Sequence, residues 1–200
     1  LLDDGDSRRQ QFIESLPYTL TAGQADVVEE ISADLAKPTP MSRLLQGEVG
    51  SGKTVVALIS MLQVIDAGHQ TAFLAPTEVL AQQHARSLTQ LLGAVPARVV
   101  CLTGSMTVAQ KKDALLKTIS GEADIVVGTH ALIQDSVEFF DLGMVIVDEQ
   151  HRFGVEQRDT LRNKGTNGIT PHLLAMTATP IPRTIAITAF GDLEVSLLSL

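Results

Sequence analysis

An α/β domain built on a parallel sheet with helices on both faces is the fold this sequence predicts, and three observations lead there. Apolar runs such as those at 144–147 and 173–176 lack the period-two alternation of a sheet with one wet face, so they read as strands covered on both sides. These runs alternate along the chain with segments of helical periodicity, the order that gives a parallel sheet. A length of 200 residues with 44% hydrophobic content matches one core of ordinary domain size. Right-handed crossovers would then set every loop that follows a strand along one edge of the sheet.

The elements follow in order. Residues 1–15 are polar and acidic around Arg8 and Arg9 and read as a helical approach segment, leaving 16–200 as the domain. Leu16-Pro17-Tyr18 is extended. Thr21-Ala22-Gly23-Gln24 fits a capping box, with Val27, Ile31 and Leu35 following at helical spacing until Pro38-Thr39-Pro40 stops the helix. Leu44-Leu45 is a short buried strand, and 53–67 is a helix carrying Val56, Ile59 and Leu62, stopped by Gly68. A strand at 71–75, a helix at 78–92 closed by Gly93 and a strand at 98–102 come next. Then come a helix at 108–119 closed near Gly121 and a strand at 125–128. Strands at 144–147 and 173–176 flank a polar helical stretch around 157–162 and a loop at 164–168. Residues 182–190 read as helical, and 193–200 as a last strand or the exit from the domain.

Composition excludes several classes. The formal net charge is −8, so no global basic field attracts nucleic acid, and with no Trp and one Tyr little material exists for stacking on bases. Any nucleic-acid contact must therefore be local or shared with further protein. The single cysteine, Cys101, forbids an internal disulfide and suits the reducing cytoplasm, where it reads as a small core residue rather than a reactive thiol. The five histidines and this cysteine form no metal-ligand spacing. No run approaches the ~18 apolar residues of a membrane span, and no signal-peptide pattern opens the chain.

Two motifs carry chemistry. Gly47-Glu48-Val49-Gly50-Ser51-Gly52-Lys53-Thr54 satisfies G-x-x-x-x-G-K-[ST] between a strand and a helix, the context that a phosphate-binding loop requires. Its glycines let backbone N–H groups turn around phosphate oxygens at a helix N-terminus. Lys53 would reach the β- and γ-phosphates of a nucleotide, and the Thr54 hydroxyl would ligate Mg²⁺. The strand at 144–147 runs into Asp148 and Glu149. The first carboxylate can hold the same Mg²⁺ and the second can act as general base on water, although acids also favour a helix N-terminus for its dipole.

Here a resemblance becomes specific. Asp148-Glu149-Gln150-His151 resembles motif II of superfamily 2 helicases of the DExH type, Met176-Thr177-Ala178-Thr179-Pro180 their motif III, and Ala75-Pro76-Thr77-Glu78 their motif Ia. The longer strings at 148–158 and 176–184, with Phe190-Gly191-Asp192-Leu193, resemble more narrowly the RecG family of branched-DNA helicases. The transcription-repair coupling factor and the primosomal helicase PriA are more distant. The likeness spans about 16–200 and implies a RecA-like P-loop NTPase domain.

By resemblance, Gln150, His151, Thr177, Ala178 and Thr179 would couple hydrolysis to motion between two motor lobes, His151 serving equally well as a hydrogen-bond partner. Pro76, Thr77, Thr103, Gly104, Thr129 and His130 would touch one DNA strand along its backbone, where small hydroxyls and loop N–H groups suit phosphates and read no sequence. Gln24 with Tyr18 is similar to the adenine-recognising Q motif, although Gln24 is equally the reciprocal residue of the Thr21 capping box. Arg152, Arg158 and Arg183 fit phosphate contact, interlobe ion pairing or plain surface positions.

The expectation is the ATP-binding lobe of a monomeric, cytoplasmic DNA motor that remodels stalled forks and Holliday junctions in repair and recombination. It would work with ATP, Mg²⁺, branched DNA and a second RecA-like lobe in cis. By the resemblance, that lobe and an N-terminal wedge domain would lie outside these 200 residues. Alone it would bind Mg-ATP yet be nearly inactive, since an arginine supplied to the γ-phosphate is worth about 10³–10⁵ in rate. The competing readings are the motor lobe of a double-strand DNA translocase of the coupling-factor type, a P-loop phosphotransferase, and a non-hydrolysing nucleotide switch. The last has no use for Glu149.

Overall fold

The computed structural model describes residues 7–47, 52–133, 137–148, 170–178 and 194–198. The expected helical stretches around 157–162 and 182–190 and the loop at 164–168 lie outside them. Short polar side chains fix where the helices begin. Ser7 caps α1 (Arg8–Ser15), and Thr21 with Gln24 forms both halves of a capping box on α2 (Ala22–Leu35). α3 (Lys53–Asp66) starts at Gly52. α4 (Glu78–Leu92) is capped by Thr77, and α5 (Val108–Ile119) by a second complete capping box, Thr107 with Gln110.

The strands are β1 (Ser42–Gly47), β2 (Gln70–Leu74), β3 (Val99–Leu102), β4 (Ile125–Gly128), β5 (Leu142–Asp148), β6 (His172–Thr177) and β7 (Glu194–Leu198). They form one sheet in the order β3-β4-β2-β5-β6-β1-β7, and every pair is parallel. The last segment, open at the sequence level between strand and exit, is thus a strand. A 3-10 turn at His130–Ile133 was not anticipated.

The missing alternation now has its cause. Along β2, Phe73 faces one core cluster while Ala72 and Leu74 face the other, and Val127 and Val126 of β4 divide likewise. α1, α2, α3 and α4 contribute to the first cluster and α5, through Ala114, to the second. α3 is buried almost all round, from Val55 to Ile65, because α1, α2 and the sheet enclose it. Among the described residues no helix is long and apolar enough to cross a membrane.

Buried polar groups tie the layers together. Arg43 on β1 donates from Nε and Nη2 to Asp34 Oδ2 (2.9 and 2.7 Å) on α2, and from Nη1 to Ser196 Oγ (2.7 Å) on β7. Ser196 in turn donates to Glu30 Oε2 at 2.7 Å, so the edge strand is fastened to the helix layer. Burial pulls the Asp34 carboxyl upward, but hydrogen bonds from Arg43 and Lys37 outweigh it and hold the group below its ordinary value.

At the opposite edge of the sheet from the strand C-termini, Gln70 is 4% exposed and fully used. Its Nε2 donates to the carbonyls of Thr118 (2.9 Å) and Ala123 (2.8 Å), and its Oε1 accepts from Asp141 N–H (3.0 Å). Gln70→Leu would leave three backbone groups without this partner. A loss of roughly 3 kcal/mol in unfolding free energy by urea denaturation is the expected result. A change within experimental error would show that these groups find other partners.

Candidate nucleotide and nucleic-acid site

Parallel strands bring all their C-terminal ends to one edge. Leu102, Gly128, Leu74, Val147, Ala175, Leu44 and Val195 form one row across the seven strands in register. Just beyond that row the two sets of predicted residues separate. Thr103 and Gly104 follow β3, Thr129 and His130 follow β4, and Pro76 and Thr77 follow β2, three adjacent strands. Asp148 ends β5, Thr177 ends β6 with Ala178 after it, and Gly47 ends β1, the next adjacent strands but for the edge. The two sets meet where β2 pairs with β5.

In the nucleotide half, Gly52 opens α3 with φ +87°, a left-handed conformation that favours glycine. A Cβ at this position would also collide with Gln24 Nε2. The N-terminus of α3 has no side-chain cap, which leaves its first N–H groups to an incoming anion. Lys53 Nζ donates to the Gly47 carbonyl at 2.6 Å, so the side chain reaches back to the end of β1. Thr54 is half-buried in the first turn of α3. Glu48, Val49, Gly50 and Ser51 lie outside the described residues.

Gln24 is 8% exposed, its Oε1 accepts from Thr21 N–H at 3.0 Å, and its Nε2 end abuts Gly52. It therefore serves the cap and touches the phosphate-binding loop at once. Tyr18, six residues earlier, is exposed.

Asp148 is brought level with Met176 on β6 and, through it, with Leu45 on β1. Two strand spacings, about 10 Å, thus separate the carboxylate strand from the strand that feeds the loop. The Asp148 carboxylate and Thr54 hydroxyl are hard oxygen donors of the kind Mg²⁺ takes. Among the described residues no cluster of three or more His, Cys, Asp or Glu could hold a metal alone, and Mg²⁺ is usually completed by substrate phosphates and water. Thr177 is 2% exposed and pairs with Gln46 across β1, between Asp148 and the loop. Glu149, Gln150, His151 and Thr179 lie outside the described residues, as do Arg152, Arg158 and Arg183.

Of the residues expected at nucleic acid, Pro76, Thr77, Gly104 and His130 are exposed, Thr129 is half-buried and Thr103 is buried. Thr77 Oγ1 accepts from Leu80 N–H at 3.2 Å to cap α4. A Cβ on Gly104 would come within 2.7 Å of Glu78 Oε1, so the segment after β3 lies close against the first turn of α4. Glu78 complements the helix dipole there but repels phosphate, which confines any backbone contact to its neighbours. Burial, with the charge of Glu78, pushes the Cys101 thiol above its ordinary value, which fits a packing role.

One residue escaped the sequence reading. His84 Nε2 lies 2.8 Å from Asp148 Oδ2, and its ring stacks at a tilt on Phe73 with centroids 4.7 Å apart. The available signal was a histidine at position 84 between Ala81 and Leu88, on the buried stripe of an amphipathic helix.

Fold and edge together define a RecA-like domain of the P-loop class. The family model described as DEAD/DEAH box helicase matches residues 21–187, and the chain belongs to that family. It is 58% identical over 199 residues to the ATP-dependent DNA helicase RecG of Mycobacterium tuberculosis H37Rv, covering 94% of this chain and 27% of that protein. With RecG of Bacillus subtilis it shares 55% identity over 188 residues, again 94% of this chain and 27% of the relative. A solved structure of RecG bound to a three-way DNA junction superposes with a TM-score of 0.83 at 44% identity, covering 94% of this chain and 25% of that one. The chain thus spans about a quarter of the length of the relatives it matches.

Proposed function

We propose that this chain is the ATP-binding lobe of an ATP-dependent DNA helicase that remodels branched DNA in repair and recombination. The observation that supports it is one of placement: the loop motif, Thr177 and Asp148 end or follow three strands, the six candidate nucleic-acid residues follow the three neighbouring strands, and the two sets meet at β2 and β5. The identity to RecG supports the choice of DNA and of branched substrates.

In this reading Gly47, Gly50, Gly52 and Lys53 cradle the phosphates of ATP, and Glu48, Val49 and Ser51 complete the loop. Thr54 and Asp148 hold Mg²⁺, which neutralises phosphate charge when bound. Glu149 takes a proton from the attacking water. Gln24 and Tyr18 border the base, and Gln150, His151, Thr177, Ala178 and Thr179 pass the nucleotide state to a second RecA-like lobe in cis. Pro76, Thr77, Thr103, Gly104, Thr129 and His130 track one DNA strand, Thr103 through its backbone. The intact protein acts as a monomer in the cytoplasm.

The test is steady-state phosphate release by the intact protein with a three-way junction, linear duplex or RNA of equal length. Stimulation of roughly tenfold or more by the junction, and less by the others, is expected. Equal rates with all three would overturn the branched-DNA reading. Nucleotide binding without any hydrolysis would point instead to a switch.

A further inference from the structure

We propose that His84 is a positioning residue that ties the nucleic-acid half of the edge to the carboxylate of the nucleotide half. The inference rests on the function proposed above but concerns a residue outside its motifs. An ionised carboxylate only accepts hydrogen bonds, so the 2.8 Å contact is His84 Nε2–H donating to Asp148 Oδ2. Both side chains are largely enclosed, His84 at 19% and Asp148 at 14% exposure. Fixing Oδ2 fixes the rotation of the carboxylate and hence the direction in which Oδ1 is presented. Outer partners of this kind orient metal-binding groups and commonly matter by about 10–100-fold.

The same histidine belongs to α4, whose N-cap is Thr77. Seven residues of helix, about 10 Å of rigid rod, separate the exposed strand loop at Pro76 and Thr77 from the imidazole. Ala81 and Leu88, both fully buried on this helix, and Phe73 beneath the ring leave His84 little freedom to move independently of α4. A shift of the α4 N-terminus on engaging a DNA backbone therefore reaches Asp148 through one hydrogen bond. The reverse path lets metal-nucleotide at Asp148 bias the strand loop, as coupling between two sites requires.

The experiment compares His84→Leu, which retains bulk against Phe73 but removes the donor, with His84→Gln, whose amide N–H restores one. Two quantities are read in the intact protein. One is the Mg²⁺ concentration for half-maximal binding of a fluorescent ATP analogue, and the other is the ratio of junction-stimulated to DNA-free ATPase. Leu should raise the Mg²⁺ requirement about tenfold and reduce the stimulation ratio, while Gln returns both to within about twofold of wild type. Thermal melting should be close in the two variants. Unchanged Mg²⁺ dependence in the Leu variant, or equal loss in Leu and Gln, would overturn the proposal. A wild-type protein that binds Mg-nucleotide but shows no DNA stimulation would overturn the function and the coupling together. In that case a Mg²⁺ requirement raised by Leu and restored by Gln would still support the orienting of Asp148.

Discussion

Glu149→Gln in the intact protein is expected to leave Mg-ATP binding in place while turnover falls about 10²–10⁴-fold, the usual contribution of a general base. Glutamine preserves the size and hydrogen bonding of glutamate but cannot accept a proton. Its neighbour Asp148 is already engaged at Oδ2 by His84 and ends the strand two spacings from the phosphate-loop strand, a position suited to a metal rather than to water. Asp148→Asn should accordingly raise the Mg²⁺ requirement. Steady-state phosphate release and fluorescent-nucleotide binding separate the two outcomes. If both substitutions merely weaken Mg²⁺ dependence, the division of roles between the carboxylates is wrong.

Lys53→Ala is expected to lower ATPase by about 10²–10³-fold, the range for removing one preorganised electrostatic contact from a transition state. The ammonium belongs to the first residue of α3 and lies 2.6 Å from the Gly47 carbonyl, between the two ends of the loop motif. Binding of ATP should weaken as well, since a charge-assisted hydrogen bond is worth about 1.5–3 kcal/mol. Junction DNA affinity, measured by anisotropy without nucleotide, should persist, because the residues proposed to track the strand follow β3, β4 and β2, away from Lys53. Unchanged hydrolysis would remove the phosphate-loop assignment.

Much of the fold was legible because its signals are local. Thr21 and Gln24, and the glycines after α3, α4 and α5, mark helix ends that the structure places within a residue or two of expectation. Strand identity was legible from apolar runs, since neighbours such as Phe73 and Leu74 enter opposite cores. β7 was ambiguous for a physical reason. It is an edge strand with Leu197 exposed, and its buried Ser196 makes sense only beside Arg43, which lies 153 residues away.

The site followed the same rule. Motif spacing put the loop and Asp148 forward as candidates, but strand order, which sets the loop, Thr177 and Asp148 at β1, β6 and β5 and the other candidates after β2, β4 and β3, is a tertiary property. The His84 contact spans 64 residues, and the local pattern marks only a histidine on the buried stripe of α4, not its partner. Gln24 shows the middle case. The capping box was readable, whereas its second contact with Gly52 required α2 and α3 to be packed together.

The strand order also sets a schedule for synthesis. β2, β3, β4 and β5 find all their mutual partners within residues 70–148, whereas β1 pairs only with β6 and β7. Leu44 and Leu45 therefore leave the ribosome without a sheet to join, and must wait about 130–150 further residues, roughly 7–30 s at ordinary elongation rates. During that interval an apolar strand with open hydrogen-bonding edges is available to misassemble or to be held by a chaperone. The half built on β2, β3, β4 and β5 can be in place first, and the half built on β1, β6 and β7 is the last to be assembled.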